Sequence, residues 1–422
     1  YLDIRIDHPL CVDKSYLEFL NNKKEMINRW YTLLEDFPPS LVWKRLRKYD
    51  IHPEDTVLDP FCGSGTTIVS TRLYGARSIG IDVNPVATFV TRVKTTWGID
   101  VREFKRQANS LLNDLQEASS ILKEVRITTP ALSNIPKMER NQWLKPYEQN
   151  LVAFVKESIK EVENKAIQDI FLLALVEAAQ ESSNAFFCPG TSFYPFKKRP
   201  PFLDAFVQKL RMIYEDLQAV KLYEGLFGRS VAIYTDDMRQ MSEFIEPDSI
   251  DFIFTSPPYP NDLEYTRQTR LDLYLLDFIQ NIEDIVEIKR RMIKGSTKLI
   301  YNDSDSSRLV EEYPFVQKIV HELEEAFGEK NWGWNYPRMI QEYFGDILLA
   351  MNQAKEVLKK SHYAEFVVGD QTYKKILIPV GAIMKKLAVE QGFDFCTLET
   401  YRLRRSTLHN IPLKEEIVVL KK

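Results

Sequence analysis

Nine consecutive residues, Asp59-Pro60-Phe61-Cys62-Gly63-Ser64-Gly65-Thr66-Thr67, carry the strongest chemical signal in the chain. They follow the strand-like Thr56-Val57-Leu58 and lead into a helix-like run through Tyr74, so strand, glycine turn and helix N-terminus come in the order of a ligand cradle. Gly63 and Gly65 let backbone approach a ligand closely, and free amides at a helix start favour a carboxylate or phosphate. A nucleotide-hydrolysing loop needs Gly-Lys-Ser/Thr at that point. Here Thr66 and Thr67 follow Gly65, which disfavours that chemistry. Seventeen positions beyond Gly65 the next strand ends in Ile79-Gly80-Ile81-Asp82, a spacing at which a carboxylate reaches a ribose diol. Taken alone, Asp82 could equally cap a helix that starts at Asn84-Pro85. The second reactive turn is Ser256-Pro257-Pro258-Tyr259, after the apolar run Ile250 to Thr255. Two prolines donate no ladder hydrogen bonds, so they stiffen the loop and leave carbonyls free to accept. By itself such a turn is often only a rigid connector.

The elements that must position these loops read as buried parallel strands: Thr56 to Asp59, Ser78 to Asp82, Val231 to Tyr234, Ile250 to Thr255 and Ala364 to Gly369. Phe393 to Leu403 and Glu415 to Leu420, joined by a polar stretch from Arg404 to Lys414, predict an antiparallel closing pair. Between the second and third strands lies a helix-patterned stretch, Val101 to Arg229, too long for an ordinary connection. It reads as an inserted helical lobe, and Asp284 to Tyr343 as a second insertion. The expected organisation is a core of residues 1–100 and 230–422, with residues 101–229 as a lobe shaping the substrate cleft.

At 422 residues, 44% hydrophobic and 27% charged, the chain is expected to be globular and larger than one compact domain. No apolar run approaches a membrane span of roughly 18 residues and no signal-peptide pattern is seen, so a soluble, cytoplasmic protein is expected. Cys11, Cys62, Cys188 and Cys396 are far apart and the histidines do not join them, which supports neither a disulfide framework nor a metal site. A net charge of -4 excludes a uniformly basic nucleic-acid binder; any such surface must be a local patch.

The segment Asp59 to Thr67 resembles the first motif of the amino-methyltransferases of DNA, and the tetrapeptide Ser256-Pro257-Pro258-Tyr259 resembles their fourth, Ser/Asp/Asn-Pro-Pro-Tyr/Phe/Trp. Upstream, Phe37-Pro38-Pro39-Ser40-Leu41-Val42 is similar to the helix-entry segment that packs on the methionine end of the family's cofactor. Asp236-Asp237-Met238-Arg239 stands where the family has Gly-Asp-x-Arg, so Asp237 corresponds to the contact of the adenine amino group. Asp236 replaces the glycine and leaves open which carboxylate faces the ligand.

The resemblance implies S-adenosyl-L-methionine as cofactor, a Rossmann-like doubly wound sheet, and methylation of an exocyclic amine in DNA, in a restriction–modification or defence setting with a restriction partner. Implied cofactor contacts are Phe37, Pro38, Asp59, Phe61, Cys62, Gly63, Ser64, Gly65, Thr66, Thr67, Asp82 and Asp237. Such an amine is a poor nucleophile, because its lone pair is delocalised into the ring. Fixed acceptors for its two N–H groups, the Ser256 hydroxyl and the Pro257 carbonyl, favour the nucleophilic form. Pro258 stiffens the turn and Tyr259 would stack on a base drawn out of its helix. The serine form leans to cytosine N4 over adenine N6. Methylation at cytosine C5 would need a nucleophilic cysteine after a proline; Cys188 precedes Pro189, the wrong order.

Expected nucleic-acid contacts are Tyr265, Arg267 and Arg270 beyond the tetrapeptide, Lys197, Lys198 and Arg199 in an aromatic-rich loop, and Lys289, Arg290 and Arg291, with Arg402, Arg404 and Arg405 as further cations near the end of the chain. An RNA base methyltransferase, or a non-catalytic nucleic-acid-binding subunit that keeps the fold, are the competing readings.

Overall fold

A computed structural model describes residues 26–422 apart from 34–35, 126, 128, 137–142, 187–191, 195–197, 224, 226, 228–229, 329–334 and 407–409. The expected contacts at Lys197, and Cys11 and Cys188, fall outside the described residues.

Seven strands form the central sheet: β1 (Thr56–Asp59), β2 (Arg77–Ile81), β3 (Val231–Tyr234), β4 (Ile250–Thr255), β5 (Leu358–Gly369), β6 (Phe395–Arg405) and β7 (Pro412–Lys421). Their spatial order is β6-β7-β5-β4-β1-β2-β3. The five strands β5, β4, β1, β2 and β3 are parallel, and β7 runs antiparallel between β5 and β6. The expected closing pair is therefore present. Strand ends shift by up to three residues at β2, β6 and β7, and the largest difference is at the fifth strand, which begins at Leu358, ahead of the expected Ala364: its first half, with Lys359 and Lys360, is partly exposed and lacks the apolar run that marks the second.

Side chains alternate across the sheet with the strand period of two. Val57, Phe252, Phe254, Val367, Ile417 and Val419 enter one hydrophobic cluster; Leu58, Ile253, Phe366, Val368, Val418 and Leu420 enter another on the opposite face. The first cluster also takes α1 (Pro39–Lys48), α2 (Thr66–Tyr74), α3 (Pro85–Lys94) and four long helices of the intervening stretch, α4 (Val101–Glu124), α5 (Pro146–Ile159), α6 (Lys165–Ser182) and α7 (Phe202–Lys221). These four helices thus share one continuous core with the sheet. The second cluster is closed mainly by α10 (Pro314–Phe327), α11 (Tyr336–Val357) and α12 (Val380–Glu390); the short α8 (Arg270–Leu275) and α9 (Asp284–Arg291) lie beyond the end of β4. No helix among the described residues is long and apolar enough to cross a membrane.

Strand order reverses between β1 and β4. From β1 the chain winds outward through β2 to β3, and from β4 it winds the other way to β5. Such a reversal splays the loops at the carboxyl ends of the two strands and opens a crevice there.

Candidate active site

The two loops at that reversal are the glycine turn after β1 and the Ser256–Tyr259 turn after β4, and both line one cavity of about 1000 Å³ of space open to solvent. From the glycine turn come Asp59, Pro60, Phe61, Cys62, Gly63 and Thr66; from the other come Ser256, Pro257, Pro258 and Tyr259. Asp82 at the end of β2 and Asp236 and Asp237 after β3 complete the acidic wall, with Phe37 and Tyr265 also on the lining.

Ser64, Gly65 and Thr67, read from the motif as ligand contacts, do not line the cavity. They shape the turn instead. Gly65 has φ +88°, and a Cβ there would lie 2.7 Å from the Thr91 hydroxyl, so only glycine lets α2 start against α3. Ser64 donates to Asp36 at 2.7 Å, and Thr67 to the Phe254 carbonyl of β4 at 3.4 Å. Gly75, with φ +101°, ends α2 and returns the chain to β2. Pro38 lies on a smaller neighbouring cavity of about 410 Å³.

Asp82 lines the cavity, and both its oxygens are already organised. Gly63 N donates to one at 3.0 Å and Asn84 N to the other at 2.9 Å. Asn84, not Asp82, is the helix cap: its side chain accepts from Val86 N at 3.1 Å and Pro85 opens the first turn of α3. Burial pushes the Asp82 carboxyl up to about 6, against the pull of these backbone bonds. Burial likewise pushes Asp59 up to about 6, although Thr255 donates to it at 2.6 Å. Asp237 takes Arg239 Nε at 3.0 Å and Nη2 at 2.6 Å, and Asp236 takes Arg291 at 2.5 Å; both carboxylates remain on the cavity wall.

The Ser256 hydroxyl donates to the Val367 carbonyl of β5 at 3.1 Å, and the Tyr259 hydroxyl lies 3.5 Å away. Because its proton goes to Val367, the lone pairs of Ser256 are left to accept. Tyr259 is buried, and its backbone is crowded by Gly295, where a Cβ would come within 2.5 Å of the Tyr259 carbonyl. Cys62 is buried and burial pushes its thiol well up, so it is a poor thiolate.

Sequence reasoning missed the rest of the wall, Leu33, Asp36, Val83, Asn84, Ala87, Met292 and Ile293. It also missed the support behind that wall. Lys94, fully buried, donates to the Tyr31 carbonyl at 2.5 Å and the Ser64 carbonyl at 2.8 Å. Burial pulls the Lys94 ammonium down to about 8, with Asp36 and Glu177 opposing. The segment leading to Asp36 and Phe37 is held further by Asp216 of α7, which accepts Ile27 N and Trp30 Nε1, each at 2.9 Å, and by Asp272, which takes the Tyr31 hydroxyl at 2.5 Å. The signal available in the sequence was an acid immediately before Phe37-Pro38; its partners are distant along the chain.

Among the expected nucleic-acid contacts, Tyr265 and Arg291 reach the cavity. Arg267 and Lys289 both pair with the buried Glu264, each at 3.1 Å, and Arg290 pairs with Asp303 at 2.6 Å. Arg270 is half-buried, and burial lowers its pKa. Arg199 donates to the Ala185 carbonyl at 2.8 Å, while Lys198 is exposed. The basic run after the tetrapeptide is thus paired with carboxylates of the same chain, of which Glu264 is buried, Asp236 half-buried and Asp303 exposed.

The family model described as DNA methylase, of N6/N4 type, matches residues 21–88, which hold the glycine turn and Asp82. Over 411 residues, 91% of this chain and 82% of the relative, the chain is 25% identical to the type II methyltransferase M.AvaI of Nostoc sp.. It is 25% identical over 402 residues to the type II methyltransferase M.MvaI of Kocuria varians, covering 89% of this chain and 84% of that one. With the type II methyltransferase M.BsoBI of Geobacillus stearothermophilus the identity is 22% over 431 residues, covering 93% and 84%.

Proposed function

We propose that this chain is an amino-methyltransferase of the N6/N4 family of DNA methylases, and that it methylates the exocyclic amine of cytosine at N4, in preference to adenine N6, as the modification enzyme of a type II restriction–modification system. DNA amino-methylation is the reaction of the family. The relatives that align over most of this chain carry the type II methyltransferase name.

The observation that carries the reading is the shared cavity at the strand reversal, walled on one side by the glycine turn and on the other by Ser256 to Tyr259. The donor set fits S-adenosylmethionine. Asp82, with both oxygens preset by backbone amides, matches a ribose diol. Val83, Ala87, Met238 and Ile293 offer apolar faces for an adenine, and Asp237 or Asp236 accepts from its amino group. The start of α2, with Gly63 on the cavity wall carrying no Cβ, suits the carboxylate of the methionine end, with Asp36 and Phe37 beside it. When bound, this cofactor supplies an electrophilic methyl on a sulfonium.

The chain's own part is positioning. Ser256 Oγ and the Pro257 carbonyl accept from the two N–H groups of the target amine and draw its lone pair out of conjugation. Tyr259 stacks on the base. As positive charge grows on the nitrogen, the same two acceptors, already oriented, stabilise it without reorganisation. In this assignment Asp59 holds the turn through Thr255 and Phe61 N and faces the methionine end.

Labelled cofactor offered with duplex DNA in competition with tRNA tests the substrate class. Label in DNA that a large excess of tRNA does not suppress is expected. Label entering tRNA in preference would replace this reading with an RNA enzyme.

A further inference from the structure

The smaller cavity opens on the other side of Ser256. Asp36, Phe37, Ser256 and Tyr259 line both cavities, so the two meet at the proposed amine-holding hydroxyl. The rest of the smaller wall is Pro38, Val367 on β5, Tyr401 and Arg402 on β6, and Glu415 on β7. On a regular strand Tyr401 and Arg402 would face opposite sides of the sheet. Here the β6–β7 register slips between Thr400 and Arg402, so that Thr400 pairs with Glu416 and Arg402 with Glu415, leaving Tyr401 as the extra residue. The bulge turns both side chains toward one cavity, a use of bulges that recurs beside active sites.

Arg402 and Glu415 form a two-pronged pair through Nε and Nη2, the latter at 3.0 Å. Glu415 is buried, whereas the Arg402 side chain is 63% exposed. A guanidinium has five N–H groups. Two go to Glu415, and the remaining three are held in a fixed plane at the cavity. Glu415 is shared with Arg404, whose Nε lies 3.7 Å away, and Asp36 stands on the same wall, so two guanidiniums face two carboxylates; a charge-balanced group of this kind is a poor trap for a backbone phosphate and a good reader of a neutral base edge. Gly369 completes the arrangement: it pairs with Glu415 across β7, and a Cβ there would lie 3.0 Å from the Tyr259 ring.

We propose that this cavity is the target-base subsite and that Arg402, held by Glu415, selects cytosine by donating to its O2 and N3 while Ser256 and Pro257 hold its amine. The inference rests on the amino-methylation reading and adds the residue that chooses the base. Next to the amine, cytosine presents two acceptors in succession, N3 and then O2. Adenine presents N1 and then a C–H, which leaves one donor of Arg402 without an acceptor on the base. Phe37, Tyr259 and Tyr401 supply the aromatic faces between which an extruded base stacks.

The test compares wild type, Arg402→Met and Arg402→Lys in single-turnover methylation of duplex DNA, with nucleoside analysis of the product and calorimetric titration of cofactor binding. Wild type is expected to form N4-methylcytosine. R402M should lose about 10- to 100-fold in rate with cofactor affinity within twofold, and R402K should recover part of that loss because it can still donate. An unchanged rate in R402M overturns the inference. So does a cofactor affinity that falls with the rate, or a wild-type product that is N6-methyladenine; the amino-methylation reading survives each of these. Wild type leaving DNA unmethylated would sink that reading too.

Discussion

Replacement of Ser256 separates its hydroxyl as acceptor from its role as donor to the sheet. The hydroxyl proton is committed to the Val367 carbonyl at 3.1 Å, so the oxygen presents lone pairs to the cavity in a fixed direction. Ser256→Ala removes a preoriented group that acts most strongly in the transition state, an effect of about 100-fold in rate, or roughly 2.7 kcal/mol. It also strips the Val367 carbonyl of its donor, with a stability cost of about 1 kcal/mol. Ser256→Asn can restore both functions, since its NH2 donates to Val367 while its oxygen accepts; it should fall within about tenfold of wild type. Ser256→Asp sets a carboxylate against the Val367 carbonyl, and repulsion should turn it away and leave it no better than the alanine variant. Single-turnover transfer at saturating cofactor, with thermal melts as the folding control, gives the order serine, asparagine, alanine, aspartate. Alanine within twofold of wild type, or aspartate the most active replacement, would refute the assignment of Ser256 as a neutral acceptor held by Val367.

The Asp82 carboxyl, pushed up to about 6 by burial, should make cofactor affinity fall as pH drops. If only its ionised form binds the diol, the dissociation constant rises about tenfold between pH 7 and pH 5, and Asp59, also near 6, steepens the fall. Titration of the wild type against Asp82→Asn checks this, because the variant should bind more weakly and keep only the Asp59 step. Folding stability moves oppositely: both folded-state pKa values lie above their unfolded ones, so the two acids favour the native state most at low pH and lose that contribution as pH climbs to about 6. Gly65→Ala, forced to φ +88° with its Cβ 2.7 Å from the Thr91 hydroxyl, should cost about 2 kcal/mol or more of stability; a Thr91→Ala background should return part of it, and full stability in the single variant would argue against the turn. Cys62→Ala should transfer methyl within about threefold of wild type, since a buried thiol whose pKa is driven up is no nucleophile; abolished transfer would reopen attack by cysteine.

The parts legible in the sequence were those written locally. Asp59 to Thr67 and Ser256 to Tyr259 announce themselves by consecutive residues, and apolar runs such as Ile250 to Thr255 mark strands buried on both faces. Long-range chemistry was not legible. Asp36 draws its meaning from Ser64 and Lys94, neither near it in the chain. Lys289, Arg290 and Arg291 read as a basic patch because the sequence hides their partners Glu264, Asp303 and Asp236. Conversely Arg402, one of three cations grouped in the sequence near the end of the chain, borders a cavity because a one-residue bulge turns it there. Within the glycine turn, residue type marks the turn but not which residues line the cavity: Gly65 serves helix packing, and Gly63 the cavity.

The most direct test of the account is where a transferred methyl ends up. Duplex DNA incubated with the chain and isotopically labelled S-adenosylmethionine, digested to nucleosides and resolved by mass, should carry the label on an exocyclic nitrogen, with N4-methylcytosine dominant. Label on cytosine C5, or none above the level of an Asp59→Ala, Ser256→Ala double variant, would contradict it.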